Sequence, residues 1–146
     1  FLRGRAGERF AVRNSGAIAV VEGVGDHGLE YMTGGKVVIL GSVGRNFSAG
    51  MSGGVAFIYD PGATLPALLN QDEPKRELST VSADYSEDLH ALIERHARET
   101  GSPIARQILD NWTTELNYFV QVMPLDYIRA IREAKEAAAT SPPPPR

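Results

Sequence analysis

The motif with the clearest chemical meaning is Gly-x-Gly-x-x-Gly at residues 23–28, directly after the apolar run of residues 17–21. In a dinucleotide-binding fold, such glycines open a helix whose N-terminus binds pyrophosphate. Here Gly34 follows almost at once and the next apolar run begins at Lys36, although a crossover between parallel strands needs about a dozen residues. The acid expected about 20 residues further on is missing from residues 43–47. The motif therefore predicts turns and no nucleotide site.

The titratable residues offer no convincing catalytic or metal-binding group. His27 follows Asp26 and is expected to stabilise a turn, while His90 and His96 are spaced to face different sides of a helix, which argues against a shared metal. Four residues at the turns could bind an anion but are expected to bond backbone carbonyls there: Arg13, Asn14, Arg45 and Asn46. The acids Glu8, Glu22 and Glu30 have no evident partner for general acid–base catalysis. We predict no catalytic, cofactor-binding or metal-binding residue in this chain.

Composition excludes several classes of site. The 146 residues include no Cys, which excludes a thiolate nucleophile, Cys-ligated zinc and a Cys-ligated iron–sulfur cluster. The net charge of −3 favours neither nucleic acid nor an anionic membrane. No apolar run approaches the roughly 20 residues that span a bilayer, and no signal peptide is visible. Because the chain begins at Phe1 and not at Met, we expect a fragment of a larger protein. We expect this fragment to be cytoplasmic.

A repeat of 19 positions runs through residues 14–60. Each copy has a small polar residue, a turn that ends in Gly and an apolar β-type run; the copies are residues 14–21, 33–40 and 52–59, with Gly16, Gly35 and Gly54 aligned. A short, fixed period of strand and turn is typical of a solenoid, in which each repeat stacks on the next. We therefore predict a mainly β fold with a single-stranded solenoid of about three to four coils.

Alternation within the repeat predicts which side chains face inward. Two sets of aligned positions are expected to stack in the interior, away from water, and both hold only aliphatic residues: Ile18, Val37 and Ala56, and Val20, Ile39 and Ile58. The opposite face includes Lys36, which is expected to face outward, but it is otherwise apolar. A sheet that is apolar on both faces is covered on both, by the chain's own helices or by another domain.

The chain is expected to divide into four parts: coils at 1–60, a linker at 61–78, a helical segment at 79–139 that packs on or beside the solenoid, and a disordered Pro-rich tail at 140–146. Ser86 is predicted to cap the first long helix and Gly101 to end it. Ser102 and Pro103 are predicted to open the next helix. Residues 119–122 form a short apolar stretch, and Pro124 is predicted to open a last helix.

Several long sequence runs resemble one known family. They are GERFAVRNSGA (7–17), VEGVGDHG (21–28), EYMTGG (30–35) and GRNFSAGMSGG (44–54), with His96, Thr100-Gly101-Ser102, Trp112 and residues 123–127 downstream. Together they resemble the C-terminal domain of the large (α) subunit of glutamate synthase over nearly the whole chain. The resemblance implies a right-handed β-helix, the GXGXG domain. A related solenoid in a formylmethanofuran dehydrogenase subunit is the competing assignment.

The resemblance also implies a function for the parent protein. Such an enzyme transfers the amide nitrogen of glutamine to 2-oxoglutarate and reduces the product to glutamate, using an N-terminal Cys nucleophile, an ammonia tunnel, FMN and an iron–sulfur cluster. Its electrons come from a pyridine nucleotide or ferredoxin, and the residues do not distinguish these donors. None of those sites is expected here. The implied role is a non-catalytic module that packs against the amidotransferase and synthase domains.

Two further expectations concern a rival activity and self-association. A carbohydrate-active β-helix enzyme would need paired carboxylates at matching positions of neighbouring coils, but the position of Glu22 holds Gly41 and Asp60 in the other copies. That alternative is therefore disfavoured. An uncapped first coil would present open β edges, so the fragment is expected to self-associate through its N-terminal coil, most simply as a twofold dimer.

Overall fold

A computed structural model describes residues 1–2, 4, 15–25, 28, 32–44, 47–48, 51–68 and 76–140. Five strands and five helices lie in these ranges. In chain order they are β1 (Ser15–Val21), β2 (Thr33–Ile39), β3 (Gly53–Tyr59), α1 (Leu65–Leu68), β4 (Arg76–Ser79), α2 (Ala83–Thr100), α3 (Pro103–Asp110), α4 (Trp112–Glu115), β5 (Phe119–Pro124) and α5 (Leu125–Thr140). A 3-10 turn at Leu116–Tyr118 joins α4 to β5.

The strands form one open, mixed sheet in the order β1-β2-β3-β5-β4. The first three are parallel, whereas β5 runs antiparallel to both β3 and β4. The predicted single-stranded right-handed β-helix of three to four coils is therefore wrong. After β3 the sheet continues with an antiparallel strand, where a solenoid would add another parallel coil. The described parts of the connections between β1, β2 and β3 form no further strand.

The 19-residue repeat reappears as the pairing register of the parallel strands. Val37 pairs with Ala56, 19 positions away. Between β1 and β2 the register shifts between Ser15 and Ile18, so that Ala19, and not Ile18, pairs with Val37. Ile18 is 57% exposed as a result. The predicted inward ladder is correct for β2 and β3 but displaced by one residue in β1.

One face of the sheet is covered by the connections between the parallel strands. Its core joins strand residues to buried residues of those connections and to Leu65 of α1. The members are Val21, Val24, Met32, Val37, Ile39, Phe47, Met51, Ala56, Ile58, Leu65 and Val122. Thus β2 and β3 contribute alternate side chains to this core, as period-2 alternation requires, and β1 contributes Val21.

The other face is covered by helices. Leu89, Ile93 and Ala97 of α2 and two residues of α3 pack here against the remaining strand side chains; the core is Val20, Val38, Leu40, Val55, Phe57, Leu89, Ile93, Ala97, Ala105, Ile108, Phe119 and Met123. Lys36 lies towards the helices, where its Nζ donates to Asp88 of α2 at 2.8 Å, although it was expected to face outward. Coverage of both faces, expected from the apolar strands, is confirmed.

The junction between α2 and α3 was predicted correctly, but the start of α2 was not. Gly101 ends α2 with a φ of 68°, and its N–H donates to the Ala97 carbonyl. Ser102 opens α3 and its hydroxyl accepts from the Ala105 N–H at 3.3 Å. The helix α2 begins at Ala83, before the predicted cap Ser86.

The predicted linker, residues 61–78, contains α1 and all of β4 but its last residue. The bounds predicted for the N-terminal β part, the linker and the helical segment stay a prediction, although the β part is not built of solenoid coils. Residues 141–146 of the predicted tail lie outside the described ranges. No helix within the described ranges has the length and apolar character that crossing a membrane demands.

Candidate functional site

One acid, one imidazole and one hydroxyl meet where the sheet joins the helices. Glu22 directly follows β1, His96 lies in the last turn of α2, and Ser102 lies between α2 and α3. The Ser102 hydroxyl donates to Glu22 Oε1, and the Gly4 N–H donates to Glu22 Oε2 at 2.5 Å. His96 Nε2 lies 3.6 Å from Glu22 Oε1, which is longer than a hydrogen bond. We call Glu22, His96 and Ser102 the junction cluster.

The junction cluster is withdrawn from solvent. His96 and Ser102 are fully buried, and the Glu22 side chain is 15% exposed. Burial raises the pKa of the Glu22 carboxyl, but the hydrogen bonds from Ser102 and Gly4 and the proximity of His96 outweigh it, so the net pKa is lowered. Burial lowers the pKa of His96 more than Glu22 raises it. At neutral pH the cluster therefore holds an ionised carboxylate beside a neutral imidazole.

The residue types match a hydrolytic triad, but the arrangement does not. A serine nucleophile needs an imidazole between the hydroxyl and the carboxylate, so that the imidazole can accept the hydroxyl proton. Here the carboxylate of Glu22 lies in the middle and accepts the Ser102 hydroxyl itself. Ser102 also caps α3 and has no exposed surface. The junction cluster thus ties β1 to the α2–α3 junction and gives no substrate access to its serine.

A second concave site lies beyond the carboxyl ends of β2 and β3. This cavity, of about 340 Å³, is lined by residues that include Leu40, Tyr59, Asp60 and Leu65. Both Asp60 oxygens accept hydrogen bonds from the start of α1, from the Leu65 N–H at 2.9 Å and from Thr64. The Tyr59 hydroxyl donates to Glu115 at 2.5 Å. Burial, reinforced by this hydrogen bond, raises the pKa of Tyr59 to about 12. The polar groups of Tyr59 and Asp60 are thus engaged in hydrogen bonds within the chain that stabilise the fold.

Comparison with known proteins assigns the family. A family model described as the GXGXG motif matches residues 1–125. The chain belongs to the GXGXG family.

Similar curated proteins are glutamate synthases. "Glutamate synthase [NADH]" of Schizosaccharomyces pombe is 53% identical over 138 residues, which are 94% of this chain and 6% of that protein. "Glutamate synthase [NADPH] large chain" of Bacillus subtilis is 44% identical over 145 residues, 95% of this chain and 9% of that protein. A ferredoxin-dependent glutamate synthase of Arabidopsis thaliana is 52% identical over 124 residues, 85% of this chain and 8% of that protein. The resemblance to glutamate synthase is confirmed, and the chain spans 6–9% of the length of these relatives.

The glycine motif of this GXGXG domain has a packing role where it is described. In the described part of the β1–β2 connection, no helix follows Gly23 and Gly25. A Cβ at Gly28 would lie 2.8 Å from Val24 Cγ2 and 3.3 Å from a ring atom of Phe47. A side chain at this position would therefore require the Val24 and Phe47 side chains to shift.

The remaining sequence candidates are not brought together within the described residues. His90 lies 3.1 Å from Glu94 and contacts Trp112 edge-on, with ring centroids 4.9 Å apart, whereas His96 faces the sheet. Among the residues that the structure describes, no three His, Asp or Glu side chains are grouped to hold a metal ion. The other candidates lie outside the described ranges: Glu8, Arg13, Asn14, Asp26, His27, Glu30, Arg45 and Asn46.

The sequence did not reveal the junction cluster. Glu22 was considered without a partner, yet it contacts Ser102, 80 positions further along the chain. Ser102 was predicted only as a helix cap. In the sequence, His96 falls among the apolar residues that form the buried side of α2. This position indicates burial of His96 but does not identify its partner near a distant strand.

Proposed function

We propose that this chain is a non-catalytic structural module of a glutamate synthase large chain. The parent enzyme would make glutamate from glutamine and 2-oxoglutarate by reductive amidotransfer. The observation that carries the proposal is the junction cluster, because its serine and imidazole are buried and its carboxylate is occupied by hydrogen bonds from within the chain. The glutamate synthase relatives support the identity of the parent. The carbohydrate-active alternative required a solenoid groove, which the open sheet does not provide.

The proposed partners are the amidotransferase and synthase domains of the same parent chain. The relatives support this, because more than nine-tenths of their length lies outside the matched region. Large apolar side chains remain exposed on this chain at Leu2, Ile18, Tyr118 and Leu125. Such side chains are suitable for burial against neighbouring domains.

The flavin and the iron–sulfur cluster of the parent are proposed to be held by other domains. Iron–sulfur clusters are bound by Cys thiolates, and this chain has no Cys, so its residues do not fit such a cluster. The same absence supports the proposal that the Cys nucleophile of the parent lies in another domain. The proposed compartment is the cytoplasm.

We further propose that the isolated chain self-associates through its N-terminal β segment, around β1. Leu2 already pairs with Val21 beside this strand, and the side chains of Leu2 and Ile18 are 52% and 57% exposed. Exposed apolar side chains of this kind are suited to burial against a second copy of the chain. Light scattering across a dilution series should show a dimer that the Ala17→Glu, Ala19→Lys double variant weakens. A strict monomer at high concentration would contradict this proposal.

The structural role is tested by purifying the 146-residue chain alone. Circular dichroism and a cooperative melt first establish that the chain is folded. Glutamine hydrolysis, glutamate formation and flavin absorbance are then measured, with the full-length enzyme as the positive control. The proposal predicts none of the three for the folded chain. Glutamine hydrolysis above background, or a stoichiometric yellow chromophore, would overturn it.

A further inference from the structure

A cavity of about 280 Å³ lies at the β4 end of the sheet, on the face that the helices cover. Its floor is formed by alternate residues of two antiparallel strands, Glu77 and Ser79 of β4 and Gln121 and Met123 of β5. In the register of these strands Glu77 pairs with Met123, and Ser79 pairs with Gln121. The four side chains therefore lie on one face of the sheet as direct cross-strand neighbours. We call this cavity the edge groove.

Two helices form the walls of the edge groove. Tyr85, in the first turn of α2, lines one wall, and Ile128, Ile131 and Arg132 of α5 line the other. Ile128 and Ile131 also pack against the helix-covered core, as Met123 does, so part of the lining is a fixed apolar surface. Pockets for drug-sized ligands have volumes of about 300–1,000 Å³. The edge groove is slightly smaller, and its size suits a small metabolite.

The amide of Gln121 has an unused hydrogen-bond donor at the edge groove. Gln121 is only 7% exposed. Its Oε1 accepts from the Ser82 N–H at 3.1 Å and from the Ser82 hydroxyl at 3.4 Å. These bonds fix the orientation of the amide, because a backbone N–H requires an acceptor. Within the described chain no group accepts from Gln121 Nε2. A buried donor without a partner is costly, so a ligand that brings an acceptor oxygen is favoured there.

Charges of both signs line the edge groove. Glu77 on the floor and Arg132 on the α5 wall are exposed, and neither forms an ion pair with another side chain of the described ranges. Lys135 and Asp84 line the same cavity and form an exposed pair at 3.6 Å. A simple anion would face the two acids, and a simple cation would face the two basic residues. A ligand that carries both charges matches this lining better than either.

We propose that the edge groove binds a free α-amino acid with an apolar side chain. The ligand carboxylate accepts from Arg132, whose planar guanidinium suits carboxylates, and from Gln121 Nε2. The ligand ammonium donates to Glu77. The apolar side chain packs on the apolar part of the lining, Met123, Ile128 and Ile131. This inference goes beyond the proposed structural role and is compatible with it, because the ligand is bound and no bond in it is broken.

The test is isothermal titration calorimetry of the full-length protein with L-leucine, so the result does not depend on any enzyme activity. Three analogues are compared with leucine by competition: 4-methylpentanoate lacks the ammonium, 3-methylbutylamine lacks the carboxylate, and N-acetyl-L-leucinamide lacks both charges and represents a peptide segment. The variants are Arg132→Gln and Glu77→Gln. Arg129→Gln is the matched control, because Arg129 is exposed on the same helix and does not line the groove. Melting temperatures establish that all variants are folded.

We expect saturable binding of leucine to the wild-type protein. Arg132→Gln and Glu77→Gln should each lower the affinity for leucine by about tenfold or more, because each removes a charged hydrogen-bond partner. Arg129→Gln should stay within about twofold of wild type, as is usual for surface changes. Each analogue should bind at least about tenfold more weakly than leucine, since each lacks a charged group.

Three results would overturn the proposal. The first is the absence of saturable leucine binding. The second is an affinity in Arg132→Gln or Glu77→Gln equal to that of the Arg129→Gln control. The third is binding of N-acetyl-L-leucinamide as tight as that of leucine, which would assign the edge groove to a peptide segment of a neighbouring domain. All three would leave the proposed function intact, because none of them measures catalysis by the parent.

Discussion

Replacement of Gly54 by Ala should strongly destabilise the chain. Gly54, at the start of β3, has a φ of 83°. An added Cβ would lie 2.6 Å from Met32 Cε and 2.9 Å from backbone atoms of Gly34 and Gly35. A positive φ costs a non-glycine residue about 1–3 kcal/mol, and overpacking costs about 1–3 kcal/mol. Together we expect a loss of about 2–5 kcal/mol in the free energy of unfolding.

Two further glycines separate these contributions. Gly101 has a φ of 68° but no atom within 4 Å of an added Cβ, so Gly101→Ala should cost about 1–2 kcal/mol from the backbone alone. At Gly62 an added Cβ would meet only Thr64 Cγ2, at 3.5 Å, which is an ordinary contact. Gly62→Ala should therefore change stability by less than about 1 kcal/mol.

The assay is urea denaturation of the three variants and the wild-type chain under one set of conditions. The expected order of stability loss is Gly54→Ala, then Gly101→Ala, then Gly62→Ala. If Gly54→Ala cost no more than Gly101→Ala, the close approach of β3 to Met32 and to the Gly34–Gly35 backbone would be refuted.

Two other predictions concern the junction cluster. Ser102→Ala removes both the α3 cap and a donor to Glu22, so urea denaturation should show a loss of about 1–3 kcal/mol in the free energy of unfolding. The control is Ser86→Ala. The Ser86 hydroxyl donates to the Ala83 carbonyl, and its removal should cost less than about 0.5 kcal/mol. The pKa of His96 is lowered in the folded chain from 6.5. The unfolded chain therefore binds more protons below that pH, and stability should fall as pH decreases through about 6.5. His96→Met should flatten this pH dependence of stability between about pH 7.5 and 5.5, and an unchanged slope would contradict the prediction. The lowered pKa of Glu22 acts in the same direction, but only as pH falls below its ordinary value of 4.5.

Local sequence signals predicted local structure well. The Gly101 and Ser102-Pro103 pattern identified the boundary between α2 and α3, since caps depend on a few adjacent residues. The fixed spacing of the glycine-led repeats predicted parallel strands paired about 19 positions apart. The one-residue displacement of β1 came from a register shift near Ile18, which periodicity cannot indicate.

The sheet order and the junction cluster could not be predicted because both depend on distant pairing. Residues 119–122 looked only like a short apolar stretch, yet β5 pairs with β3 on one side and β4 on the other. The repeat contains no information about a strand that lies outside it, so it led to a solenoid. The contact between Glu22 and Ser102 spans 80 positions, and no local pattern links an acid after a strand to a serine between helices.

The most direct test of the structural role is the kcat/KM of full-length enzyme carrying Glu22→Gln, measured at a temperature where the variant is folded. The substitution keeps the shape of the side chain and removes its charge. We expect kcat/KM within about twofold of wild type, together with a lower melting temperature, because the carboxylate accepts hydrogen bonds from Ser102 and Gly4. General acid–base catalysis contributes about 10²–10⁴-fold. A loss of that size with an unchanged melting temperature would contradict the structural role and assign Glu22 to the chemistry.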